Sequence, residues 1–369
     1  MKKLWLYTTL VLLSSCSVID DNLDDCGTSF QLDYELRLVT NMNTELHTEL
    51  QTELSTQTEL SMANALRAHL SDIFTDYAHD VDLSFYDTQG DSARLQHDEH
   101  VMDANQASYT LYLPMRQYMH LAVANVADNP IVDLMNDTLC HTAQLSLVKE
   151  AAILSQPLQQ PDTISSHTTG IFTARQHMEV LSGIDQTFNV HLYMVNCATT
   201  LVVDTVDSGI RDLEVFTTGF ATGFNISDST FVFSQTSPIV RMEQIPNDKE
   251  DGLMAFCSVT FPSQEAPAAG TQNISARSGK GTRSIIDTDE PFISPDATDA
   301  LWELHVYATT ADGSITESKL FVRKPLRAGQ LKVIKARVRP NGEVDSQDQT
   351  VGVSVVTNWN SGGTYTPEL

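Results

Sequence analysis

Lys332-Val333-Ile334-Lys335-Ala336-Arg337-Val338-Arg339 sets the rhythm by which this 369-residue chain is read. Ile334, Ala336 and Val338 fall on one side of an extended backbone, and Lys335, Arg337 and Arg339 on the other. Successive side chains of a strand point to opposite faces, so this alternation predicts a strand with one dry and one wet face. The same period recurs at Tyr34–Val39, Val81–Tyr86, Tyr109–Leu113, Met119–Val126, Phe188–Asn196 and Thr200–Asp204. It returns at Ala255–Phe261, Leu301–Ala308, Glu317–Val322 and Val351–Trp359, where Val351, Val353 and Val355 share a face. Many short alternating strands predict a mainly β chain built as antiparallel sandwiches.

One helix is predicted, where Ala63, Leu66, Leu70, Ile73, Phe74 and Tyr77 recur at helical spacing opposite Asn64, Arg67, Ser71 and Asp76. Upstream, Thr-Glu-Leu recurs at residues 44–46, 48–50, 52–54 and 58–60. Its four-residue step permits a longer helix, but the reading adopted is a loop expansion. Gln156 to Thr169 carries Pro157 and Pro161 among polar residues and reads as an inter-domain linker. Ser263 to Thr298, rich in Pro, Gly, Ser and Ala, reads as an exposed loop open to proteolysis. Two tandem sandwich domains are therefore expected, at residues 27–160 and 165–369, with one short amphipathic helix in the first.

The N-terminus carries an export signal. Lys2 and Lys3 form a positive n-region, and Leu4 to Leu13 an apolar run broken only by Tyr7, Thr8 and Thr9. That run is half the roughly 20 residues a membrane span needs, so it reads as the core of a signal peptide covering residues 1–15. Leu13-Ser14-Ser15-Cys16 resembles the lipobox of signal peptidase II substrates, which implies cleavage before Cys16 and acylation of its thiol. Residue Ser17 is not the aspartate that would suggest inner-membrane retention. Residues 16–26 then form an acidic tether containing Asp20, Asp21, Asp24 and Asp25.

Composition narrows the partners. A formal net charge of −26 argues against nucleic acid, and 41% hydrophobic residues against disorder. Eight bases (Lys319, Arg323, Lys324, Arg327, Lys332, Lys335, Arg337 and Arg339) nevertheless follow one another with no acid between them. They read as a docking face or as the solvent side of two strands. Beyond Cys16, the chain holds Cys26, Cys140, Cys197 and Cys257, spaced too widely for CxxC redox or zinc motifs. Buried thiols or one structural bridge are both compatible with that spacing.

Chemistry-bearing motifs are thin. His97-Asp98-Glu99-His100 is the most metal-like cluster but lacks the spacing that puts both histidines on one helical face, and a solvated hairpin end just after Gly90-Asp91 is expected. Ser278-Gly279-Lys280-Gly281-Thr282 echoes a phosphate loop, with Ile274 where the first glycine belongs. Asp287-Thr288-Asp289-Glu290 lacks the glycine and terminal glutamate of a calcium loop. No GxSxG elbow occurs. The expectation is a non-enzyme without metal, cofactor or small-molecule substrate.

Several features together resemble the FimB-type fimbrial anchor lipoproteins of Gram-negative anaerobes. They are Cys16, the acidic spacer and Cys26; then Phe30 to Val39, and a helix leading to Phe85-Tyr86-Asp87-Thr88-Gln89-Gly90. Leu111-Tyr112-Leu113-Pro114 and Tyr118 to Asn125 follow. The ends match best, with Gly329 to Ala336, Val351 to Val355 and Asn358-Trp359-Asn360. The Thr-Glu-Leu repeat and Cys140, Cys197 and Cys257 depart from the pattern. The resemblance implies transthyretin-like β-sandwich domains, lipid attachment through Cys16 to the outer membrane, exposure at the cell surface, and partners that are fimbrial subunits joined by strand exchange at a fimbria's base. A surface glycan-binding lipoprotein of a polysaccharide uptake system is the alternative; it would use exposed aromatic platforms, for which Trp302 and Trp359 are the tryptophans available beyond the signal.

Overall fold

The computed structural model describes residues 29–74, 78, 80–89, 94–101, 108–127, 129, 131–137, 142–147, 163–182, 185–206, 209–233, 238–246, 252–264, 301–348 and 351–359. Each alternating stretch quoted above is a strand, with small shifts at its ends. The mainly β expectation therefore stands.

The strands form four sheets. The first has seven strands, in the order Arg94–Val101, Val81–Asp87, Gln117–Ala124, Phe172–Glu179, Gln186–Met194, Ser29–Val39 and Ser108–Pro114. The second has five, ordered Glu243–Ile245, Leu253–Thr260, Cys197–Asp204, Leu331–Val338 and Val344–Ser346. The third has six, running from Val351–Trp359 through Ile315–Val322, Trp302–Thr310, Ile210–Thr218 and Ile239–Arg241 to Thr163–Ile164. A small fourth sheet holds Thr230–Val232, Gly223–Asn225, Thr142–Leu147 and Val132–Asp137. Pairing is mostly antiparallel, but Ser29–Val39 runs parallel to Gln186–Met194, Cys197–Asp204 parallel to Leu331–Val338, and Ile239–Arg241 parallel to Thr163–Ile164.

Side-chain alternation explains the layering. On the second sheet Ala198, Val202, Ala255, Val259, Leu331 and Val333 point toward one core. Cys197, Leu201, Val203, Phe256, Ile334, Ala336 and Val338 point toward another. The sheet is thus buried on both faces, and the break in alternation at Val333-Ile334 reflects this. Its first face packs on the two helices and the inner face of the first sheet, and its second on the third sheet, around Trp302 and Leu304. A third core joins the back of the first sheet, through Tyr86, Leu121 and Val123, to Phe224 and Ile226.

Two helices lie among the described residues, α1 at Met42–Glu53 and α2 at Leu60–Ile73. The second is the one predicted from its apolar stripe. The first corrects the loop expansion read from the Thr-Glu-Leu repeat. A four-residue step drifts only about 40° per repeat around a 3.6-residue helix, so Met42, Leu46 and Leu50 stay on one buried stripe. Burying each of those side chains contributes about 1.5–3 kcal/mol, enough to order a segment of modest propensity. Glu59, from the last repeat, accepts hydrogen bonds from the Thr56 amide (3.1 Å) and hydroxyl (2.6 Å), which closes the turn that leads into α2. No helix among the described residues is long and apolar enough to cross a membrane.

Phe172–Glu179 and Gln186–Met194 sit inside the first sheet, between Gln117–Ala124 and Ser29–Val39. We therefore propose a division near Val195-Asn196 in place of one at 160–165. Much of the described part of the expected linker is buried: Thr163, Ile164, His167 and Thr169 are nearly inaccessible. The proline-bearing part before Thr163 and the Ser263–Thr298 loop beyond Gln264 lie outside the described residues.

Candidate functional site

Val351–Trp359 forms one edge of the third sheet. It pairs antiparallel with Ile315–Val322, from Val322↔Val351 to Ile315↔Trp359, with a bulge between Ile315 and Glu317. Val351 and Val353 pack on the second core, as their alternation predicted, whereas the side chain of Val355 lies outside the described set. Gly352 lies on the opposite face, where an added Cβ would sit 3.4 Å from the Arg323 guanidinium. No other strand among the described residues pairs with this edge. Beyond Val351, whose amide donates to the Asp348 carbonyl (3.1 Å), its outward N–H and C=O groups therefore form a hydrogen-bonding row left open among the described residues, along Gly-Val-Ser-Val-Val-Thr-Asn-Trp, which carries no charge.

The opposite situation holds at the first sheet's outer strand, Arg94–Val101. His100 bridges Asp82 (2.7 Å) and Asp80 (3.2 Å), Ser84 donates to Asp98 (2.9 Å), and His97 meets Glu99 (3.2 Å). These are the residues of the metal-like cluster. His100 donates to Asp82, and that hydrogen bond raises its pKa despite partial desolvation. Charge of this kind is how natural edges avoid pairing with strangers. The other edge of that sheet, Ser108–Pro114, is uncharged but shorter and ends in a proline.

A buried polar joint holds the halves together. Asn125 has φ +66°, which asparagine tolerates better than most residues, and its amide donates to the Gly170 carbonyl (3.1 Å). Asn129 donates to the Asn125 carbonyl (3.0 Å) and the Thr169 carbonyl (3.2 Å), and accepts from the Thr168 amide (2.9 Å). Asn196 accepts from the Ile171 amide (2.5 Å) and donates to His167 Nδ1 (2.6 Å). Its carbonyl accepts from the Gly329 amide (2.7 Å). Gly329 is required there: φ is +73°, and a Cβ would approach Asn41 Oδ1 to 2.9 Å. Asn125 closes a stretch quoted above for the family resemblance; Asn129, Asn196 and His167 were missed, because a polar residue's burial leaves no local periodic signal.

A second buried constellation was also missed. Glu303, His305 and Tyr307 alternate along one face of Trp302–Thr310, a spacing visible in the sequence. His305 donates to Glu303 (3.1 Å) and Glu317 (3.2 Å), and Tyr307 donates to Glu317 (2.9 Å). Burial works against the imidazolium, but hydrogen bonds to Glu303 and Glu317 outweigh it and hold the His305 pKa above its ordinary value. The carboxyl of Glu317 is held below the carboxylate range: hydrogen bonding and attraction from His305 overcome its desolvation. All four side chains are buried, so the set reads as a packed ion cluster.

The basic stretch is neutralised along much of its length. Lys332 meets Asp348 (2.8 Å), Lys335 meets Glu59 (3.3 Å), Arg337 meets Asp204 (3.8 Å), and Arg339 meets Asp345 (2.6 Å). Alternation placed these side chains, and pairing with distant acids makes them a poor docking face. Cys197 and Cys257 are buried free thiols, each pushed up to about 12 by desolvation. Trp302 is wholly buried, with its indole N–H donating to the Lys324 carbonyl (2.9 Å), so it offers no glycan platform. Cys16, Cys26, Cys140, the Ser278–Thr282 echo and Asp287–Glu290 lie outside the described residues.

No family model matches the chain, and no curated protein sequence matches it. Solved structures do. A candidate adhesin from Bacteroides ovatus is similar over 90% of this chain and 98% of its own, with TM-score 0.51 and 13% identity. A candidate polysaccharide-binding protein from Bacteroides thetaiotaomicron covers 86% and 98%, with TM-score 0.46 and 10% identity. The fimbrial anchor protein Mfa2 from Porphyromonas gingivalis covers 89% and 100%, with TM-score 0.43 and 9% identity. Structural neighbours thus include candidate adhesins and a fimbrial anchor protein, and across nine-tenths of its length this chain has the fold of the Bacteroides ovatus candidate adhesin.

Proposed function

We propose that this protein is an outer-membrane lipoprotein at the base of a fimbria, acylated at Cys16 and joined to a fimbrial subunit at its C-terminal sheet edge. The observation that carries the reading is the uncharged Val351–Trp359 strand, paired on one side only among the described residues. Such an edge accepts a partner's strand through main-chain hydrogen bonds, with alternate side chains setting the register. The lipobox-like Leu13-Ser14-Ser15-Cys16 supplies the other half: three acyl chains, at roughly 0.8 kcal/mol per buried methylene, hold a protein firmly to a bilayer. One end of the polypeptide then grips lipid while the other offers a strand edge. The basic stretch, being internally paired, has no part in this scheme.

Successive N–H groups along a strand point to opposite edges, so Val353→Pro and Ser354→Pro separate the two roles of the backbone. One removes a rung shared with Ile315–Val322 and lowers stability. The other removes only an outward N–H, leaves the melting temperature nearly unchanged, and is expected to abolish co-purification of fimbrial subunits from native membranes. If both variants capture subunits as the wild type does, the edge is not the joint.

A further inference from the structure

We propose that the end of the first sheet bearing Met115 and Leu181 rests on the bilayer, with both side chains entering the boundary between headgroups and acyl chains. The inference builds on the acylation of Cys16 proposed above. Register fixes which end this is. Ser29 pairs with Pro114, so the first described residue stands beside the turn that carries Met115. The Val180 amide donates to the Arg116 carbonyl (2.9 Å), and the Leu181 amide to Gln186 Oε1 (2.8 Å), which brings the turn carrying Leu181 alongside. Gln186 itself lies opposite Leu32, three residues into the first strand.

Met115 is 54% and Leu181 42% exposed. Single exposed apolar residues are commonplace, but these two occupy neighbouring turns at the point where the chain enters the sheet. The opposite end of Ser29–Val39 leads through Asn41 into α1; Val39 and Tyr193 are exposed there too, but that end lies a whole strand farther along the chain from Cys16. Residues 17 to 28 alone separate Cys16 from Ser29. At full extension 12 residues reach at most about 43 Å, little more than the length of the first strand. Anchoring at Cys16 therefore keeps this rim at high effective concentration near lipid, while the joint and the third sheet lie farther along the chain. Arg116 is already paired with Asp87 (2.5 Å), and Glu179 and Asp185 stand exposed nearby. Adsorption thus depends on apolar insertion and is insensitive to salt.

Tryptophan reporters test this. Met115→Trp and Leu181→Trp are compared with Tyr193→Trp, at the far end of the same sheet, and Val206→Trp, in the second half. Each acylated full-length variant is placed in phosphatidylcholine vesicles with and without brominated acyl chains, and wild-type emission is subtracted. A parallel arm holds a chain starting at Ser17 by an N-terminal hexahistidine on nickel-chelating lipid. The expected result is quenching of about twofold at positions 115 and 181 in both arms, with little at 193 and 206. Quenching that is absent, or no stronger at 115 and 181 than at the controls, overturns the proposal. If the nickel-held chain shows the pattern but the native chain neither floats with vesicles nor carries acyl groups, the acylation reading fails and the surface stands.

Discussion

His120 and His167 are both neutral in the folded chain because burial disfavours their charged forms, leaving each with a pKa of about 3. The Nδ1–H of His120 donates to the Ser84 carbonyl (3.1 Å), so its Nε2 accepts from the Tyr34 hydroxyl, and Phe85 stacks on the ring at 4.3 Å. Unfolding returns each imidazole to about 6.5, where it binds a proton the folded ring refuses. Stability is therefore complete above that value and falls as pH drops toward 3. At pH 5 the loss is about 2 kcal/mol per histidine. His120→Phe, which keeps the ring stack, is expected to flatten the acid limb of a urea-melt series between pH 7 and pH 5. An unchanged slope would contradict the account. His305 has the opposite sign: its raised pKa supplies stability that is full below about 6.5 and is lost as pH rises through the folded value. His305→Leu leaves Glu303 and Glu317 buried and facing each other, at a cost of about 3–5 kcal/mol in the same denaturation assay at pH 7. A change below 1 kcal/mol would mean the cluster contributes nothing net.

At the scale of elements, α1 is held by its buried stripe. Leu46→Ala is expected to cost about 2–5 kcal/mol, whereas His47→Ala, exposed at the next position of the same helix, stays within about 0.5 kcal/mol. Equal effects from the two would show that the helix is not docked through that stripe. Much of this level was legible in the sequence, since strands such as Lys332–Arg339 and the helix around Leu66 and Leu70 declare themselves by period. The repeat helix was not, because a four-residue step is compatible with both a helix and a loop until a groove exists to bury Leu46 and Leu50. The joint was hidden for a related reason. Asn129 and Asn196 are ordinary polar residues in a string and gain meaning only when Thr168, Thr169 and Ile171 fold against them. Of the candidate edge, the sequence showed the strand Val351–Trp359, while its edge position depends on pairings that span the whole second half.

For the whole molecule, the topology couples the N-terminus to the interior. Ser29–Val39 lies between Gln186–Met194 and Ser108–Pro114, so removing it would leave two strands of the first sheet without a shared neighbour. The second sheet in turn serves both large cores, so packed contacts run from Val351–Trp359 through the third and second sheets to Leu32 and Tyr34 of the N-terminal strand. Such a path suits a protein that is gripped at both ends of its chain. The most direct test of that central claim is the location of assembled fimbriae in cells carrying Cys16→Ala, measured by immunoblotting cell-surface and culture-medium fractions. The account predicts that fimbrial subunits move, as polymers, from the cells to the medium while the variant protein itself stays folded. Fimbriae that remain on cells at wild-type levels would contradict it.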